Sequence, residues 1–226
     1  MDAREKLLAG LAAAILRLPA ANVLRIAIDG VDGAGKTTFG DELAEAIQPS
    51  GRNVIRASVD GFHNPGSIRY RLGKGSAEGF FRDSYDYDLL KGALLDPLSP
   101  GGSGKYRTAA FDHRSDSPVE MAERYACAGS ILIIDGIFLH RPELRNYWDF
   151  SIFLEVGFHI SIPRGAHRGE GSADPASVGN RRYVEGQGIY LRACEPRTHA
   201  TVIINNEDMA NPRIITRSLT LSRPFA

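Results

Sequence analysis

The 226-residue sequence holds two cysteines, one tryptophan and only five lysines, and its formal charge is zero. Each scarcity excludes something. Cys127 and Cys194 are too few and too far apart for a disulfide framework or a zinc site, so both read as incidental thiols of a reducing compartment. The 27 basic residues are cancelled by 27 acidic ones, which argues against nucleic acid or a membrane surface as partner. Twenty-two of the 27 basic residues are arginine, a bias that suits phosphate binding and that coding composition explains equally well. No apolar run approaches the roughly 18 residues of a membrane-spanning helix. Residues 1–20 carry acidic side chains and a helical apolar stripe (Leu7, Leu8, Leu11, Ile15), the pattern of a docking helix and not of a secretory leader. Cytoplasmic residence is the expectation.

What is present suits one sizeable core: 43% of residues are hydrophobic and 24% charged. Apolar runs of strand length recur at Leu24–Ile28, Asn53–Ser58, Ile131–Ile134, Phe150–Leu154 and Ala200–Ile204. The first run leads into Gly30–Thr37, GVDGAGKT, and then a helix-like stretch, Thr38–Ile47. Glycine, four residues, then Gly-Lys-Thr is the phosphate-cradling loop of nucleoside-triphosphate enzymes. Its glycines let successive amide N–H groups turn toward phosphate oxygens, and the following helix adds its positive end. Gly30, Asp32, Gly33, Ala34, Gly35, Lys36, Thr37 and Thr38 are therefore the candidate ATP contacts. Lys36 reaches the β- and γ-phosphates, and Thr37 offers its hydroxyl to Mg2+. At average residue usage a chance match is on the order of one per cent.

Two further acids fall where strands end, and ligands of open parallel sheets gather there. Asp135 closes the run ILIID and is the second candidate metal ligand, direct or through water. Asp60, in SVDGFHNP, is placed to accept a proton from an attacking hydroxyl. Two stretches break the strand–helix alternation. Residues 61–117 are aromatic-rich, too long for a passive loop and too aromatic for disorder. Residues 157–185 carry Arg164, Arg168, Arg181 and Arg182 around a small, polar segment, the composition of an arginine-bearing lid.

Phosphate loop, DGFH, SYDYD, FDH and the downstream arginine segment together resemble the uridine kinase/phosphoribulokinase/pantothenate kinase group of P-loop kinases, from about Leu24 to Asn206. The resemblance implies a single α/β domain over 1–226. Its fold would be the three-layer P-loop NTPase fold, a five-stranded parallel sheet flanked by helices, with an acceptor-binding insertion (61–117) and a lid (157–185). It implies transfer of the γ-phosphate of ATP, with Mg2+, to a primary hydroxyl of a small molecule. The 5′-hydroxyl of uridine or cytidine comes first; pantothenate, nicotinamide riboside or a sugar are the alternatives. By the same resemblance Asp60 is the base, with Lys36, Arg164 and Arg168 on the transferring phosphate. Phe62, His63, Asp86, Tyr106 and His113 would meet the acceptor, Asp86 through the ribose hydroxyls. Relatives are often dimers or tetramers, so a homo-oligomer is compatible. Asp135 departs from the group's usual glutamate, and Gly169 follows Arg168 where an acid is usual.

Two other classes compete. One is a GTPase or regulatory ATPase acting through partners; a GTPase would carry a guanine-reading Asn-Lys-x-Asp segment, and Asn205–Asp208, NNED, lacks the lysine. A nucleotide-binding module without catalysis is disfavoured by the retention of Asp60, Asp86 and Asp135.

Overall fold

The computed structural model describes residues 1–19, 22–167, 169 and 171–217. Each apolar run forms a strand: β1 (Leu24–Gly30), β2 (Val54–Ser58), β3 (Ile131–Gly136), β4 (Phe150–Glu155) and β5 (Val202–Asn205). They pair in parallel in the order β5-β4-β1-β3-β2. A sixth strand, β6 (Arg213–Arg217), adds antiparallel to β5, so the expected five-stranded sheet gains an edge. Its short RIITR run follows Pro212 closely, and nothing local distinguishes it from a tail.

Strand alternation divides the core. Ile26 and Ile28 of β1, with Ile131 and Ile133 of β3, face one layer; Ala27, Leu132 and Ile134 face the other. The first layer is closed by α1 (Ala3–Leu16) and α2 (Lys36–Ile47). Helix α1 starts on a reciprocal cap, in which Asp2 accepts from the Glu5 N–H and Glu5 accepts from the Asp2 N–H. Its buried Leu8, Leu11 and Ile15 form the stripe read from the sequence, while Leu7 is only half-buried. The other layer is closed by α3 (Ala77–Asp83) and, after α4 (Phe158–His167), by α5 (Arg181–Cys194). Residues 61–117 supply α3, short helical turns at 66–69 and 87–95, and strand pairs that extend beyond Ser117. Tyr106 pairs with Arg124, and Phe111 with Pro118. No helix among the described residues is long and apolar enough to cross a membrane.

Register aligns the chemistry. Ile28 and Ser58 both lie opposite Asp135, so the phosphate loop, the segment bearing Asp60 and the Asp135 turn leave the same edge of the sheet.

Candidate active site

The phosphate loop begins where β1 ends. Gly33 adopts φ +74°, and a Cβ there would stand 2.0 Å from the Ser161 carbonyl oxygen, so only glycine lets α4 approach the loop. Gly35 caps α2 in the left-handed conformation. Lys36 donates from Nζ to the Val31 carbonyl at 2.8 Å, a bond it can exchange for phosphate oxygens. The Thr37 hydroxyl donates to Asp135 Oδ2 at 2.8 Å. Gly33, Lys36, Thr37, Asp60 and Asp135 line one cleft of about 140 Å³. A hard divalent cation wants oxygen donors and leaves room for phosphates and water. Thr37 and Asp135 fit that requirement beside the phosphate loop, and Asp60 faces the same space.

Asp60 is exposed, and one of its oxygens accepts from the Tyr85 hydroxyl at 2.9 Å. Burial, reinforced by the Asp60 charge, pushes the Tyr85 phenol well above its ordinary pKa, so Tyr85 stays a donor. Beyond Asp60 the rings gather: His63 packs at a tilt, its ring centroid 4.5 Å from that of Tyr85 and 4.5 Å from that of His113. Burial holds His63 below the usual histidine pKa, the neighbouring His113 and Arg69 acting the same way against the pull of Asp60. His63 and Asp86 then line a second cleft of about 520 Å³, with Arg107 and Phe111.

The sequence model of the phosphoribulokinase/uridine kinase family matches residues 25–170. This chain belongs to that family. It is a kinase, with the family's use of ATP and a small-molecule substrate. Among solved structures it is similar to one described as a possible uridine kinase from Bacillus stearothermophilus, at 23% identity over 87% of this chain and 96% of that one, TM-score 0.67. It is similar also to D-glycerate 3-kinase from Cryptococcus neoformans, at 11% identity over 96% and 99% of the chains, TM-score 0.59. Phosphoribulokinase from Rhodobacter spheroides follows at 14% identity over 82% and 71%, TM-score 0.56. At these identities the likeness is one of fold. No curated protein sequence matches this chain.

Within this kinase the expected site residues divide. Asp32, Gly33, Gly35, Lys36, Thr37, Asp60 and Asp135 line the phosphate cleft, whereas Gly30, Ala34 and Thr38 are not among its lining residues. His63 and Asp86 line the second cleft, and His113 lies against His63 without lining it. Asp86 also caps the turn that begins at Tyr87, accepting from the Leu89 N–H at 2.9 Å, so one oxygen serves structure. Three expectations need correction. Phe62 is fully buried, and Tyr106 is turned into the same core by its pairing with Arg124, so neither lines a cleft. Arg164 donates to the carbonyls of Asn206 and Glu207, binding the turn after β5 and not the phosphate cleft. Arg168 lies outside the described residues.

Asp29, with Gly30, ends β1 as a polar residue of the kind that gathers ligands, whereas the sequence assigns no role to Gln187 or Asn206. Asp29 is wholly buried below the loop: Oδ1 accepts from the Gly30 N–H at 2.7 Å, and Oδ2 takes His140 Nδ1–H at 2.7 Å and the Tyr190 hydroxyl. Gln187, one turn before Tyr190 on α5, accepts from the Asp32 N–H at 2.6 Å. Asn206 donates to the Ala34 carbonyl at 2.7 Å. The available signal was the spacing of Gln187 and Tyr190, which places two polar groups on one helix face.

Proposed function

We propose that this protein transfers the γ-phosphate of ATP to a primary hydroxyl of a small acceptor, with a nucleoside of the uridine or cytidine type first among them. The observation that carries the reading is the sharing of one cleft by Lys36, Thr37, Asp60 and Asp135. Main-chain amides of the loop hold the phosphate tail, and Lys36 exchanges Val31 for the β- and γ-phosphates. Bound Mg2+ would neutralise charge on those phosphates, with Thr37 and Asp135 as its holders. Tyr85 fixes one Asp60 oxygen and leaves the other to take the acceptor's proton. The acceptor occupies the neighbouring cleft, where Asp86 has an oxygen for hydroxyl groups and His63, with His113 against it, offers a ring. The segment 157–185 acts as the lid, with residues 61–117 as the acceptor-binding insertion of one domain.

A specific observation favours a second reading. Arg107 lines the acceptor cleft half-buried and makes no ion pair or side-chain hydrogen bond to a described residue. A free guanidinium suits an acceptor bearing a carboxylate, such as pantothenate or glycerate. A panel of uridine, cytidine, pantothenate, nicotinamide riboside and glycerate, incubated with ATP and scored by product mass, tests both. The expected result is acceptor-dependent ADP release with one class dominant. Slow ATP hydrolysis indifferent to every acceptor would overturn the kinase reading.

A further inference from the structure

Arg56 stands on β2, beside the strand that ends in Asp135, and its guanidinium is fully committed. Nη2 pairs with Asp135 Oδ1 at 2.8 Å, Nε with Asp41 Oδ1 at 2.9 Å, and Nη1 donates to the Ile133 carbonyl at 2.7 Å. With Thr37 on Oδ2, the Asp135 carboxylate is held at both oxygens. Its side chain is 4% exposed, against 23% for Arg56. Helix α2 makes room for this contact: a Cβ on Gly40 would lie 2.7 Å from Nη2 and 2.9 Å from Cζ of Arg56. Glycine is a poor helix former. Its place one turn into α2 is explained by the space the guanidinium fills.

We propose that Arg56 is a positioning residue that keeps Asp135 out of direct contact with the magnesium ion, aimed at the Thr37 hydroxyl and at a metal-bound water. The inference rests on the kinase reading above. Thr37 can turn an oxygen lone pair to the ion while its proton stays on Asp135 Oδ2. Direct ligation through Oδ1 would make the ion share that oxygen with the Arg56 guanidinium, a like charge whose rigid fork, tied to Asp41 and the Ile133 carbonyl, resists moving aside. Arg56 also offsets part of the local negative charge, which would weaken the hold of Asp135 on the ion.

The test is calorimetric titration of Mg2+ into the ADP-loaded protein, with ADP affinity in EDTA and the melting temperature of the nucleotide-free protein measured alongside. Arg56→Gln removes the charge and frees Oδ1, so the Mg2+ Kd should tighten about threefold or more, since one nearby cation has been deleted. ADP affinity in EDTA should stay unchanged, and kcat should fall. A merely structural role predicts the opposite, weaker binding of metal and nucleotide together. An unchanged or weaker Mg2+ Kd overturns the proposal. Should Arg56→Gln not fold, Gly40→Ala carries the test, because it crowds the guanidinium without removing any charge. It should tighten Mg2+ in the same direction, and an unaltered Kd there is equally fatal. If the parent protein binds no ADP with or without Mg2+, the kinase reading fails as well; if it binds both and the variants do not differ, only the role of Arg56 fails.

Discussion

A carboxylate does different work according to what its second oxygen touches, and the acids of this site differ in that respect. Asp60 has one oxygen on Tyr85 and one open to the cleft. Asp60→Asn should lower kcat by about 10²–10⁴-fold, the usual worth of a proton acceptor, with ATP affinity retained. Single-turnover measurement checks this, and near-normal kcat would remove Asp60 as base. Asp86 caps a turn and lines the second cleft together, so on the proposed function Asp86→Ala should raise KM for the acceptor and also cost about 1 kcal/mol of stability. Paired steady-state kinetics and urea unfolding separate the two effects. His63 titrates below the ordinary histidine value of 6.5, so above that pH it is neutral in both states and the native protein keeps its full stability. As pH falls through 6.5 toward the lowered native pKa, the unfolded chain takes up the proton first and stability declines. His63→Gln should flatten that acid slope in a plot of melting temperature against pH.

At the scale of the element, α5 does more than close a layer. Its Gln187 and Tyr190 hold the phosphate loop from beneath, through the Asp32 N–H and the Asp29 carboxylate. Its Arg182 donates to the Lys74 carbonyl and stacks 5.1 Å from the Tyr70 ring, so the same helix grips residues 61–117. Tyr190→Phe removes a donor from a buried carboxylate and should cost about 1–3 kcal/mol. It should also weaken ATP binding more than acceptor binding, because Gly30 loses a fixed partner; equal KM values for parent and variant would detach α5 from the loop. Of Arg181–Cys194 only the start was legible, inside the arginine-bearing lid read over 157–185, since its partners Asp29, Asp32 and Lys74 lie more than a hundred positions earlier. The phosphate loop and β1 to β5 were legible because each is local: one glycine spacing and five apolar runs. Tyr106 misled because the resemblance placed it at the acceptor by position alone, whereas its pairing with Arg124 turns its ring into the core.

For the whole molecule the decisive joint is Phe138, just after β3. It is fully buried, with ring centroids 5.5 Å from Phe80, 5.5 Å from Phe81 and 5.0 Å from Tyr190, so it binds the sheet to residues 61–117 and to α5. Phe138→Ala should cost about 3–5 kcal/mol, seen as a lower denaturant midpoint. Activity lost while the midpoint stays put would contradict that joint.

By itself the sequence determined the nucleotide loop, the parallel strands in their chain order, and the acids that end those strands, because each depends on neighbours a few residues apart. Only the tertiary structure decided which side chains meet those acids: Arg56 and Thr37 on Asp135, Tyr85 on Asp60, His140 and Tyr190 on Asp29. Such meetings join residues distant in the chain, and sheet order, strand register and burial select them from many partners of similar chemistry.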